Sequence, residues 1–194
     1  MKTLVLASGS PRRRELMEAA GYRFEVLPSA YAERHDHPVA PTDLAPGLAL
    51  GKARDVAYSR HDLPVVLAAD TFIALDGAIL GKPSSEADAR RMLGLLSGRA
   101  HEVITGVAVV DAETGREETR AVVSRVWFRE LTDAEIAEYV ATGEPMDKAG
   151  SYAIQGIGAL LVARLEGPMD NVVGLPMAET AAMLAEFGIR PEGQ

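Results

Sequence analysis

The apolar residues of this chain change period several times, and each change marks an element. Leu4, Val5 and Leu6 form a short continuous apolar run that suits a buried strand, and Pro11 fits the first turn of a helix that Leu16, Met17 and Ala20 continue towards Gly21. Phe24, Val26 and Leu27 alternate as a second strand, after which residues 28–41 read as a polar loop containing His35 and His37. Leu44, Leu48, Ala49, Ala53, Val56 and Ala57 recur with helical spacing. Residues 65–69 are continuously apolar, which predicts a central strand covered on both faces, with Asp70 at its carboxyl end.

In the next stretch, residues 72–75 and 78–80 flank Asp76-Gly77, a dipeptide that suits the positive backbone angles of a tight hairpin. Ser84 or Ser85 caps a helix that carries Ala89, Met92, Leu93 and Leu96 and stops at Gly98. Residues 103–110 and 121–128 read as long strands joined by a turn near Thr114-Gly115. Thr132-Asp133-Ala134-Glu135 is a capping-box start for a helix bearing Ile136, Tyr139 and Val140, and a last helix is expected over residues 176–187 before Gly188. Strands that alternate with helices in this way predict an α/β architecture with a mixed sheet and flanking helices. In 194 residues, one compact unit, or two lobes sharing a core, is expected rather than two independent domains, so residues 1–194 are read as a single domain.

Composition narrows the function. The 20 basic and 28 acidic side chains give a net charge of -8, which argues against non-specific binding to nucleic acid or to an anionic membrane surface. There is no cysteine, so disulfides, thiolate metal sites and a cysteine nucleophile are excluded. The apolar opening is too short for a signal peptide and arginines follow it, so a cytoplasmic protein is expected. No apolar run approaches the ~20 residues that cross a bilayer.

Against the acidic background, Ser8-Gly9-Ser10-Pro11-Arg12-Arg13-Arg14 stands out. A helix N-terminus flanked by hydroxyls and guanidinium forks matches phosphate oxygens, although Ser10-Pro11 is equally an ordinary helix start. Asp70, rigidly held at a strand end, suits a general base or a metal ligand, or else a simple turn. Thr71 beside it either contacts substrate or is a β-branched strand residue. Lys82, within Gly81-Lys82-Pro83, and Lys52 read as phosphate-binding charges or as solvated lysines. Glu33 either shares a divalent cation with Asp70 or is a solvated loop carboxylate.

Residues 143–156 are harder to explain as mere connection, because Asp147, Lys148, Tyr152 and Gln155 sit among glycines without regular period. The Gln155 amide offers donor and acceptor together and can pair with the N3–H and O4 edge of uracil or thymine. No G-x-x-x-x-G-K-[ST] loop occurs, which excludes the P-loop reading.

Ser8-Gly9-Ser10-Pro11-Arg12-Arg13, Ala69-Asp70-Thr71, Gly81-Lys82-Pro83, Leu96-Ser97-Gly98, His101-Glu102-Val103-Ile104-Thr105-Gly106-Val107, Asp147-Lys148-Ala149-Gly150 and Val173-Gly174-Leu175-Pro176 together resemble the Maf family of nucleoside triphosphate pyrophosphatases. The resemblance implies an inosine-triphosphatase-like fold with a cleft between two lobes. It also implies hydrolysis of a nucleoside triphosphate to the monophosphate and pyrophosphate, assisted by magnesium or manganese, in a homodimer. Carried over, Asp70 is the catalytic carboxylate and holds the metal with Glu33; Lys52 and Lys82 complete the catalytic set. Ser8, Ser10, Arg12, Arg13 and Lys148 bind substrate. Arg12, Thr71 and Gln155 agree with the branch that takes dTTP and UTP rather than 7-methyl-GTP, where a glutamate replaces the glutamine. Two other readings stand beside this: a nucleotidyltransferase, which needs an acceptor, and a non-catalytic nucleotide sensor, which has no need of Asp70.

Overall fold

The computed structural model describes residues 2–32 and 39–193. The expected α/β class is what is observed: among the described residues the strands form an open mixed seven-stranded sheet in the order β2-β1-β3-β5-β6-β7, with β4 paired to β3. The elements run β1 (Leu4–Leu6), α1 (Pro11–Ala19), β2 (Glu25–Val26), α2 (Pro41–Ser59), β3 (Val65–Leu75), β4 (Ala78–Leu80) and α3 (Glu86–Leu96). They continue with β5 (Ala100–Asp111), β6 (Glu117–Phe128), α4 (Asp133–Ala141), β7 (Val162–Glu166), α5 (Met169–Val173) and α6 (Met177–Glu186). The chain divides into two compact units, the first Met1–Asp70, Thr105–Val122 and Gly174–Gln194, the second Thr71–Ile104 and Val123–Val173.

In the first unit β1 pairs in parallel with β2 and with β3, Leu4 opposite Val65 and Leu6 opposite Leu67. Side chains alternate across the strands, and both faces are apolar. Leu4, Leu6, Val65, Leu67, Ala69, Val107 and Val109 pack with Met17 of α1 and with Met183 and Leu184 of α6. Val5, Ala7, Val66, Ala68, Ala108 and Val110 pack instead with Ala49, Ala53, Val56 and Ala57 of α2. That second face is built from small residues, so helix and sheet approach closely. Gly106 shows how closely: a Cβ there would lie 2.1 Å from the Ala45 carbonyl carbon and 2.2 Å from Pro46 N, both backbone atoms of α2.

The second unit has a single core, in which Leu80, Leu93, Leu96, Val103, Val126, Phe128, Ile136, Tyr139 and Tyr152 cluster. The predicted hairpin forms, with Ile73 opposite Leu80 and Leu75 opposite Ala78. Asp76 and Gly77 take φ of 50° and 81°, the left-handed pair that a two-residue turn of this hand needs. Ser85 caps α3 by accepting from Asp88 N, and Thr132 and Glu135 close the predicted capping box of α4. β7 pairs antiparallel with β6, Val126 opposite Leu165.

Several expectations change. Asp70 is not at the end of its strand: β3 runs on to Leu75, because its neighbour changes from β1, paired up to Leu67, to β4, paired from Ile73. β2 is only Glu25–Val26, both exposed, since it lies at the sheet's edge. β5 and β6 each extend to 12 residues. β7 and the short α5 were not anticipated; the burial pattern of β7 is mostly exposed, so it lacks an apolar signature.

Candidate active site

Strand parity aims the polar groups of the first unit. Along β3, Val66 and Ala68 face α2, so Asp70 faces α2 as well, and there Lys52, one residue before the buried Ala53, reaches it. Lys52 Nζ donates to Asp70 Oδ1 at 2.5 Å, and Asp70 is only 6% exposed. A charge-assisted bond of this length holds the carboxylate in one orientation. The other oxygen, Oδ2, is buried and has no hydrogen-bond partner among the described residues. A buried carboxylate oxygen left without a donor is costly unless something else satisfies it, so Oδ2 marks a position built for a ligand, a water or a cation.

On the opposite face, the alternation of β1 carried past Leu6 turns Ser8 towards α1. Arg13, on the first turns of that helix, meets it: its Nη1 donates to Ser8 Oγ at 3.2 Å and to the Ala69 carbonyl at 2.8 Å, while Nε donates to the Gly174 carbonyl at 2.8 Å. Arg13 therefore braces the segments that carry Ser8, Asp70 and the entry to α6. Ser8 Oγ also accepts from Ser10 N at 3.2 Å, which shapes the backbone into the helix, and Pro11 sits at the first helical position as predicted. The Ser10 side chain makes no cap. Arg12 is partly buried, whereas Arg14 is exposed and pairs with Glu18 along the helix. The arginine run thus serves three different surroundings.

In the second unit the two lysine motifs meet. Gly150 N donates to the Gly81 carbonyl at 3.0 Å, joining Gly81-Lys82-Pro83 to Asp147-Lys148-Ala149-Gly150. Lys148 is hydrogen-bonded to Asp147 and holds that carboxyl below its ordinary range, with the Lys82 charge acting in the same direction. Lys82 itself is exposed. Thr71 is partly buried in β3, and Gln155 is exposed immediately after the buried residues Tyr152, Ala153 and Ile154.

Tyr152, named from the sequence as part of this irregular segment, belongs to a buried aromatic group whose pairing the sequence did not foretell. His101 Nε2 lies 2.8 Å from the Tyr152 hydroxyl, and the rings of His101, Phe128 and Tyr152 meet edge to face at 4.7 to 5.4 Å. Burial lowers the His101 pKa to about 4 and raises that of Tyr152, so both are neutral at pH 7. Glu144, Tyr139 and the Gly174 carbonyl were missed as well. All three lie in or beside segments already marked by motif or capping signals, but nothing in their spacing gave their partners.

Glu33, His35 and His37 lie outside the described residues. Among the described residues no three His, Asp or Glu side chains cluster as a metal site, and no helix is long and apolar enough to cross a membrane.

A family model described as Maf-like protein matches residues 3–187, and the chain belongs to the Maf family. Its relatives include proteins named dTTP/UTP pyrophosphatase from Moorella thermoacetica, 52% identical over 97% of each chain, and from Gloeobacter violaceus, 50% identical over 96% of this chain and 97% of the relative. Another of that name, from Bdellovibrio bacteriovorus, is 45% identical over 95% of this chain and 98% of its own length.

Proposed function

We propose that this chain hydrolyses dTTP and UTP to the nucleoside monophosphate and pyrophosphate. The observation that carries the reading is Asp70, a buried carboxylate with one oxygen fixed by Lys52 and the other without a partner among the described residues, in a chain whose relatives carry the name dTTP/UTP pyrophosphatase. Water attacks the α-phosphorus, a new P–O bond forms, and the bond to the bridging oxygen breaks with its electron pair leaving on pyrophosphate. Asp70 Oδ2 orients that water and takes its proton, while the Lys52 contact keeps the carboxylate from rotating.

Cationic groups account for the rest of the phosphate chemistry, where stabilising charge on the phosphoryl oxygens is the main catalytic task. In this reading Arg12, with Ser8 and Ser10, grips the triphosphate, and Arg13 adds its charge while its bonds to Ser8, Ala69 and Gly174 hold that loop in place. Lys82 and Lys148 oppose its remaining charge. The orphaned Asp70 Oδ2 equally fits a hard cation, which takes oxygen ligands; in that case Asp70 and Glu33 would hold magnesium or manganese, the ion would supply charge neutralisation, and Asp70 would orient the water rather than take its proton. Thr71 and Gln155 read the base, the Gln155 amide donating to O4 and accepting from N3–H. The family resemblance further supports a cytoplasmic homodimer.

The test is pyrophosphate release from dTTP, UTP, CTP, GTP and 7-methyl-GTP with magnesium or manganese and no acceptor, by the purified chain and by Asp70→Asn. Release from dTTP and UTP that the variant loses supports the reading. Preference for 7-methyl-GTP overturns the assignment of Gln155, and release only when an acceptor is added makes the chain a transferase.

A further inference from the structure

Gln155 stands on an exposed turn, yet the backbone on both sides of it is tied down. On one side Ala153 N donates to the Tyr139 hydroxyl at 3.2 Å. On the other, Ile157 N donates to Glu144 Oε1 at 3.2 Å and Gly158 N to Glu144 Oε2 at 2.9 Å, so one carboxylate closes both free amides at the start of the 3-10 helix Ile157–Leu161. The glycines show how tightly the turn folds onto these anchors. Gly156 has φ of 89°, and a Cβ on it would lie 2.3 Å from Glu144 Oε1; a Cβ on Gly158 would lie 2.3 Å from the Ala153 carbonyl oxygen and 2.6 Å from the Tyr139 hydroxyl. Glu144 is itself placed by the 3-10 helix Glu144–Asp147 and by its own N–H, which donates to Thr142 Oγ1 at 3.2 Å.

We infer that Glu144 is a positioning residue for base selectivity: by holding the amides of Ile157 and Gly158 it sets where the Gln155 amide is presented. This rests on the proposed role of Gln155 as the base reader. A glutamine that pairs with both a donor and an acceptor on the base discriminates only if its orientation is restricted, since a mobile amide can turn to offer either edge. The anchoring is by a half-buried carboxylate that is not part of the apolar core cluster, so it can be removed without deleting a core side chain. Tyr139 and the buried His101–Tyr152 pair hold the preceding residues, and Glu144 restrains the backbone on the far side.

The experiment measures kcat and KM for UTP and CTP in the parent chain, Glu144→Ala, Glu144→Gln, Gln155→Ala and the Glu144→Ala/Gln155→Ala double variant, with thermal unfolding of each. For Glu144→Ala the UTP KM is expected to rise roughly tenfold, with kcat within about twofold and the UTP-to-CTP ratio of kcat/KM falling. Glu144→Gln, whose amide oxygen still accepts one N–H, should fall between. In the Gln155→Ala background, Glu144→Ala should change the ratio no further, because the group it positions is gone. An unchanged ratio in Glu144→Ala, or an equal loss on UTP and CTP, overturns the inference while the base-reading role stands. An unchanged ratio in Gln155→Ala overturns that role and the inference with it.

Discussion

The two units carry their polar groups in different ways. In the first, Ser8 and Asp70 extend the alternation of two buried parallel strands, so the same packing that places Leu6 and Ala68 also aims the hydroxyl and the carboxylate. Their partners, Arg13 and Lys52, come from the helices that cover the two faces. In the second unit Lys148 and Gln155 lie on irregular backbone, and their placement depends on individual hydrogen bonds that neighbouring backbone amides donate to the Gly81 carbonyl, the Tyr139 hydroxyl and the Glu144 carboxylate. A group carried by a packed strand resists displacement, which suits bond-breaking chemistry. A group held by a few hydrogen bonds can be retuned by changing one residue, which suits selectivity.

The comparison is tested most severely at Asp70. Asp70→Asn keeps the shape but cannot take a proton, so turnover of UTP should fall by about 10² to 10⁴-fold, read as the steady-state rate of pyrophosphate release. The UTP-to-CTP preference of whatever rate remains should be unchanged; a variant that lost preference and kept turnover would reverse the roles of the two units.

Stability should respond to pH through the second unit. His101 has an ordinary pKa of 6.5 that burial lowers to about 4. Between these values the unfolded chain binds a proton that the folded chain does not, so the stability contribution is complete above pH 6.5 and is lost as the pH falls towards 4, by roughly 3 kcal/mol. Urea unfolding at pH 7.5 and pH 4.5 should show this loss, and His101→Gln should remove most of the difference between the two pH values. If the parent and variant lose stability in parallel, the burial of a neutral His101 is not what limits the second unit in acid.

Gln155→Glu comes next. A carboxylate only accepts hydrogen bonds and would face the O4 lone pairs of uracil, so kcat/KM for UTP should fall about 10- to 100-fold while guanine nucleotides, which present two adjacent donors, gain. Equal losses on every base would show that the residue supports the loop rather than reads the base. The smallest effect is expected at a cap: Thr132→Ala should cost about 1 kcal/mol in chemical denaturation and leave kcat/KM unchanged, since it removes one side of a capping box on α4 and no group assigned to the nucleotide.

Much of the fold was legible from local pattern. The Asp76-Gly77 hairpin, the Ser85 and Thr132 caps and the stripe from Leu44 to Ala57 on α2 were readable because each depends on residues within a few positions of one another. The extent of β3 was not, because residues after Asp70 stay in the strand by gaining β4 as a neighbour after β1 has ended. For the site, Ser8, Lys52, Asp70 and Gln155 were named from residue type and motif. That Lys52 grips Asp70, that Arg13 is committed to Ser8, Ala69 and Gly174, and that Glu144 holds the turn beyond Gln155 were not.

By itself, then, the sequence determined the α/β class, most elements, the family motifs and the candidate chemical groups, because period, caps, turns and motifs are short-range properties written in order along the chain. The tertiary structure decided which groups pair, which oxygen of Asp70 lacks a donor among the described residues, and which carboxylate restrains the turn carrying Gln155. Those depend on contacts between residues far apart in sequence, such as Arg13 with Gly174 or His101 with Tyr152, and no local pattern encodes which distant partner a side chain will meet.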